Sequence, residues 1–279
     1  MKWVWLNKLK SIGYGFMVLV LAYAGVFMLV SCSSSPTEQS ITLDDGRMLA
    51  FSEHKGNEAQ GPRVILLHGA PADASSWNKL LDRIDEINAE VVITVDRIGY
   101  GNSSDEDELT LAGHADAIAP LLDATSDNKA IIVGHSYGGP VALRLAIDHA
   151  DQVGGLVLVA GACDAYMKDS QWFRRGLDGI RLIVPTDWER ANRELLALTD
   201  ENRAMEPMLD QVTCPVVIVH GTWDGVCPHD STVAYLQDRL IKATSVTVMS
   251  IPRARHNLQL THLDEVIDAI NQAAEPSRD

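Results

Sequence analysis

The sequence predicts an α/β protein: a mostly parallel central sheet with helices on both faces and a small helical cap inserted into it. Three observations carry this. Short apolar runs rich in Val, Ile and Leu recur at 63–67, 91–95, 130–133, 155–160, 215–220 and 245–251, the pattern of strands buried on both sides. Stretches with apolar residues at helical spacing separate most of them. Several of the runs end directly on Gly-, Asp- or His-containing turns, where strands of such a sheet deliver side chains to a shared crevice.

Residues 1–31 stand apart from that rhythm. Lys2, Lys8 and Lys10 precede an uncharged apolar stretch from Ser11 to Val30, a basic segment followed by a hydrophobic one, as in a signal peptide. Leu29-Val30-Ser31-Cys32 at its end resembles the lipobox of bacterial lipoproteins. That resemblance implies cleavage before Cys32 and a lipid anchor on it, holding the protein at the bacterial cell envelope. A retained transmembrane anchor is the alternative, since the apolar stretch is just long enough to span a bilayer. Either would tether the domain to a membrane through its N-terminus. Residues 32–40 read as a polar tether and residues 41–279 as the folded domain.

The 279 residues, 46% hydrophobic and 22% charged, suit one α/β domain with a sizeable core. A net charge of -15 leaves no basic stripe to neutralise phosphates, which argues against a nucleic-acid partner. Apart from Cys32, the chain holds Cys163, Cys214 and Cys227, an odd number without framework spacing; one pair of these could form a disulfide. Nothing in the sequence specifies an oligomeric state.

Within the domain, 41–43 and 48–52 flank Asp44-Asp45-Gly46 as a hairpin. The strand 63–67 ends at His68-Gly69-Ala70-Pro71, and a helix is expected over 75–87. Strand 91–95 closes on Asp96-Arg97-Ile98-Gly99-Tyr100-Gly101-Asn102-Ser103, and a helix follows over 110–124. Strand 130–133 then runs through Gly134-His135-Ser136-Tyr137-Gly138 into a helix over 140–150. From Cys163 to Val212 the strand pattern stops. Trp172, Phe173, Trp188, Met205 and Met208 stand there among charged residues at helical spacing, and this is the expected cap, its large side chains either lining a pocket or forming a core of their own. Strand 215–220, a helix over 230–241, strand 245–251 and a helix over 261–274 complete the domain.

The chemistry centres on Ser136. A serine between a buried strand and a helix, with glycines two residues before and after, is lifted clear of the sheet on a sharp turn. A serine hydroxyl is a poor nucleophile at neutral pH and needs a positioned base, which in turn needs an orienting acid. Asp224 lies just after the strand ending at His220, and His256 lies after the last strand. Residues far apart in sequence can meet there, because the carboxyl ends of parallel strands share one crevice. Asp164, after strand 155–160, is the rival acid.

With these residues in order, the chain resembles the α/β-hydrolase fold superfamily, in its esterase, lipase and C–C hydrolase branch, over about 41–274. The resemblance rests on HGAP at 68–71, DRIGYGNS at 96–103, GHSYGG at 134–139, GTWDGVCP at 221–228 and the late histidine. It implies a Ser136 nucleophile, a His256 base and acid, an orienting Asp224, and an oxyanion hole from the backbone N–H groups of Ala70 and Tyr137. The implied substrate is a small-molecule ester or acyl compound, with no cofactor and no metal. C–C bond hydrolysis or perhydrolysis with the same residues is an alternative reaction, and a catalytically idle binding protein is the alternative class. If His256 is the base, activity falls as acid protonates it. His68, His135 and His220 read as structural, Cys227 with His229 as too few ligands for a metal, and Asp96 and Arg97 as residues that fix their own loop.

Overall fold

A computed structural model describes residues 38–122, 128–166 and 186–275 of the chain. The signal peptide, Cys32 and most of the tether lie outside these residues, as do Trp172 and Phe173. The strands are β1 (Glu38–Thr42), β2 (Met48–Lys55), β3 (Arg63–Leu67), β4 (Val91–Val95), β5 (Ala130–His135), β6 (Val153–Val159), β7 (Val216–Gly221) and β8 (Val246–Ile251). The helices among the described residues are α1 (Asn78–Leu81), α2 (Leu111–Ile118), α3 (Gly138–Asp148), α4 (Thr186–Met205), α5 (His229–Arg239), α6 (Leu258–Thr261) and α7 (Leu263–Ala274).

The strands form one sheet in the order β1-β2-β4-β3-β5-β6-β7-β8. β2 runs antiparallel to both β1 and β4, and every other pair is parallel. Alternate side chains divide the sheet into two cores, which is why the strands read as unbroken apolar runs. Ile65, Leu67, Ile132, Leu156 and Ile218 face one side with Leu111 and Ile118 of α2, Val141 and Leu145 of α3 and Leu236 of α5. Val64, Leu66, Val133, Val157 and Val219 face the other with Trp77, Leu80 of α1 and Val266 and Ile270 of α7.

The connections locate the crevice. From β3 the chain moves to β4 on one side, and from β5 it moves to β6 on the other, although β3 and β5 are neighbours paired through Leu67 and Gly134. Loops leaving two adjacent parallel strands in opposite directions open a cleft at their carboxyl ends. The loop at His68–Pro71 and the turn at Ser136 are the two walls of that cleft.

Several elements differ from the sequence expectation. Glu38, Gln39 and Ser40, assigned above to the tether, belong to β1, where their backbones pair with Ser52, Phe51 and Ala50; ladder hydrogen bonds ask nothing of side-chain polarity. The helix expected over 75–87 is a 3₁₀ turn, the short α1 and a second 3₁₀ turn. The break is at Arg83, which leaves helical conformation at φ -120°, ψ 24° while its guanidinium bonds Glu86 and Asp264. The helix expected over 110–124 ends at Ile118 and tightens to a 3₁₀ turn with Pro120 near its start, because proline supplies no N–H to continue an α-helical ladder. The last helix is divided at His262, at φ -135° and ψ 58°.

In the cap region the described part is α4 and a 3₁₀ turn from Glu206 to Gln211. Leu198, Met205 and Leu209 join the main core, so Met205 serves the sheet domain rather than a separate cap core. α4 also buries Arg190, Asn192, Glu194 and Asn202, polar residues that an amphipathic reading would place outside. Cys163, Cys214 and Cys227 are free thiols.

Candidate active site

Ser136 sits where β5 passes into α3, and it takes the strained conformation itself. Its φ is 52°, in the left-handed region that costs a non-glycine residue energy. Three backbone hydrogen bonds hold it there: Ser136 N–H donates to Val159 O at 3.0 Å, and Ser136 O accepts from Gly139 N–H and Ala162 N–H, each at 3.0 Å. The flanking glycine matters for crowding rather than for turning. A Cβ on Gly138 would lie 2.4 Å from Leu67 O, so the helix can start directly against β3 only without a side chain there.

The His68–Pro71 loop passes equally close. A Cβ on Gly69 would stand 2.9 Å from Ser136 Cβ. His68 is buried and holds its loop through both ring nitrogens: Nδ1 donates to Gly69 O at 2.7 Å and Nε2 accepts from Arg97 N–H at 3.0 Å. Burial, reinforced by the Arg97 charge, keeps this ring neutral, far below the usual histidine range. Among the described residues, neither Ala70 N–H nor Tyr137 N–H is engaged by a turn or loop backbone oxygen.

The Asp224 and His256 loops are stitched together before either side chain is considered. Thr222 N–H donates to Ile251 O at 3.0 Å and Trp223 N–H to Ala254 O at 2.9 Å. Thr222 Oγ1 in turn accepts from Arg253 N–H at 2.9 Å, where Arg253 takes a positive φ of 62°. His135 completes the attachment from the elbow, its Nε2 donating to His256 O at 3.3 Å. Burial and the neighbouring His256 push the His135 ring down to about 3, so it stays neutral.

The side chains then meet. His256 Nε2 lies 2.9 Å from Ser136 Oγ, and His256 Nδ1 lies 2.8 Å from Asp224 Oδ2. With Nδ1–H donated to the carboxylate, Nε2 presents its lone pair to the serine hydroxyl. Asp224 is tied on its other oxygen, where Oδ1 accepts from Val226 N–H at 2.8 Å and Cys227 N–H at 3.0 Å. Burial alone would raise this carboxyl. Hydrogen bonds from His220 and His256, with the Cys227 amide, outweigh it and hold the group far below the usual carboxylate range. His220 Nε2 also donates to Cys227 O at 2.8 Å, which braces the Asp224 loop.

Asp164 faces elsewhere: its Oδ1 accepts from Tyr166 N–H at 2.7 Å. His229 spends its two nitrogens on Asp230 Oδ1 and Ser250 Oγ, both at 2.8 Å. Asp96 ties its own loop, accepting from Ala74 N–H at 2.7 Å and Asn102 N–H at 2.9 Å.

The arrangement is a hydroxyl, an imidazole and a carboxylate in one hydrogen-bonded line, at the rim of a crevice with two backbone amides nearby. Chemically it can draw a proton from Ser136 as the oxygen attacks an electrophile and return that proton to a leaving group. Sequence reasoning missed Glu194, which is buried beside Arg97 behind the His68–Pro71 loop. The only hint was a glutamate on a helix with few apolar residues.

Residues 64–269 match the family model described as the alpha/beta hydrolase family. The chain is 37% identical over 100 residues to the lipase LipV of Mycobacterium tuberculosis, covering 36% of this chain and 37% of that protein. It is 31% identical over 136 residues to a 2-hydroxy-6-oxo-6-phenylhexa-2,4-dienoate hydrolase of Burkholderia cepacia, covering 47% of each. It thus spans less than half the length of these curated relatives. Among solved structures, an alpha/beta hydrolase enzyme from a Medee basin deep-sea metagenome library shares the fold with a TM-score of 0.68 at 16% identity, covering 86% of this chain and 99% of that one.

Proposed function

The chain belongs to the alpha/beta hydrolase family, and from that premise we propose that it is a serine hydrolase cleaving small-molecule carboxylic esters through an acyl-enzyme. The observation that carries this reading is the line from Asp224 Oδ2 through His256 to Ser136 Oγ, with contacts of 2.8 and 2.9 Å. Ser136 Oγ attacks the ester carbonyl while His256 Nε2 takes its proton. The oxyanion that forms is met by the N–H groups of Ala70 and Tyr137, each such donor worth about 2.7–4 kcal/mol in the transition state. Collapse expels the alcohol, which takes the proton from His256, and water then repeats the sequence on the acyl-enzyme.

The test is a fluorophosphonate probe with a series of p-nitrophenyl esters of increasing acyl length. The wild-type chain should be labelled and should release p-nitrophenol in a burst, and Ser136→Ala should do neither. Labelling without turnover on any ester would remove the esterase reading. Absence of both would point to a catalytically idle binding protein. C–C bond hydrolysis with the same three residues is a second reading, favoured by the likeness to the Burkholderia cepacia dienoate hydrolase; adding such a dienoate to the series decides between them.

The proposal extends to location on the strength of residues 1–32 alone: cleavage before Cys32 and lipidation there would hold the enzyme at the bacterial envelope. Incorporation of labelled palmitate, lost in Cys32→Ser, is the expected result. Labelling that survives the substitution rejects the anchor.

A further inference from the structure

We propose that Arg97 is the positioning residue for both halves of the oxyanion hole, and that Glu194 on α4 holds it in register. This rests on the hydrolase reading above and names residues that act through the backbone amides. The Arg97 side chain is fully buried. Its Nε–H donates to His68 O at 3.1 Å and its Nη2–H to Gly69 O at 3.2 Å. A trans peptide points its N–H opposite its C=O. Turning the Gly69 carbonyl back onto the guanidinium therefore turns the Ala70 N–H away from it, on the side of the peptide opposite Arg97. The same guanidinium lies over the Tyr137 ring, 4.5 Å from its centroid, and Tyr137 carries the second donor. One cation thus touches both residues whose amides must converge on a single oxygen.

The cation is itself fixed from α4. Glu194 is buried and accepts from Arg97 through both oxygens, Nη1–H to Oε1 at 2.7 Å and Nη2–H to Oε2 at 3.3 Å. This fork-to-fork pairing sets the plane of the guanidinium as well as its place. Tyr100 Oη donates to Glu194 Oε2 at 2.7 Å, and His114 Nε2 lies 3.0 Å from Oε1. The pair persists as charges: burial opposes ionisation of both, yet their mutual attraction keeps Glu194 at about 2 and raises Arg97 above its usual value. Helix α4, which reaches no atom of the Asp224–His256–Ser136 line through these contacts, is in this way built into the part of the site that stabilises charge.

The consequence is separable from a merely structural role. Loosening this cluster should misaim the donors, which costs rate in the transition state while leaving ground-state binding alone. The experiment uses the full chain, with Arg97→Lys and Glu194→Gln. Each is measured for kcat and KM on a p-nitrophenyl ester, for affinity toward a trifluoromethyl ketone that forms a tetrahedral adduct on Ser136, and for affinity toward the product carboxylate. The expected result is a fall in kcat of roughly 10- to 100-fold with KM within about twofold. Ketone affinity should fall in step with kcat/KM, and carboxylate affinity should hold. Unchanged kcat, or a loss confined to KM or thermal stability, overturns the proposal. Should either variant fail to fold, Tyr100→Phe decides, since it removes only one hydrogen bond to Glu194: a joint fall in kcat and ketone affinity supports the proposal, and a change in stability alone overturns it. A wild-type chain that neither reacts with fluorophosphonate nor turns over ester removes the hydrolase reading and this proposal with it. Failure confined to the variants removes this proposal alone.

Discussion

His256 Nδ1 lies 2.8 Å from Asp224 Oδ2, whereas Asp164, the other carboxylate at the end of a neighbouring strand, accepts from Tyr166 N–H. The difference comes from the loops. Trp223 N–H donates to Ala254 O, so the chain around Asp224 is hydrogen-bonded to the chain that carries His256.

The first prediction follows from that pairing. Asp224→Asn should lower kcat by about 10⁴, because the amide permits the wrong imidazole tautomer. Asp164→Asn should leave kcat within a few-fold of wild type. Steady-state rates on one ester measure both; the reverse ranking would reassign the acid.

Ser136 gives a stability prediction independent of any substrate. Its φ of 52° is carried by a residue with a Cβ. Ser136→Ala keeps that strain and Ser136→Gly releases it, against the extra freedom glycine gains on unfolding. The glycine variant should therefore be more stable than the alanine variant by roughly 0.5–1 kcal/mol, read from urea midpoints. Both should be inactive.

Gly138→Ala tests crowding at the elbow. In an ordinary helical position this change stabilises by roughly 0.5–1 kcal/mol. Here the new Cβ would meet Leu67 O, a backbone atom, at 2.4 Å, and the clash should reverse the sign to a destabilisation of about 1–3 kcal/mol. A thermal melt that moves upward contradicts the packing described at this turn.

Acid should destabilise the fold through the buried neutral histidines. The unfolded His135 side chain takes up a proton near its ordinary 6.5, while the folded one does so only near 3. More protons bind the unfolded chain in that window, so stability is complete above 6.5 and is lost as the pH falls toward 3. One such group contributes a slope of at most about 1.4 kcal/mol per pH unit. His135→Asn should make the dependence of the urea midpoint between pH 7 and 5 shallower than wild type. An equal slope would mean His135 takes no part in the acid response.

The fold was largely legible because a sheet buried on both faces leaves its mark on every strand. Val64, Ile65, Leu66 and Leu67 must all be apolar when alternate residues face two different cores. The elements that were misread lack such a mark. Glu38–Ser40 pair through backbone atoms that any sequence has, and the break at Arg83 depends on Asp264, a residue 181 positions away.

The same division runs through the site. By itself the sequence determined the residue types, their chain order and the strand ends on which they sit, since buried strands and the glycines around Ser136 are local requirements of the backbone. Only the tertiary structure decided which carboxylate His256 meets, that Ser136 rather than its glycines bears the left-handed backbone, and that Arg97 turns inward to Gly69, Tyr137 and Glu194. Those outcomes are set by contacts between loops and a helix remote in sequence, where a charge is stable only because its partner is buried with it. No local pattern of residues encodes where such a partner will come from.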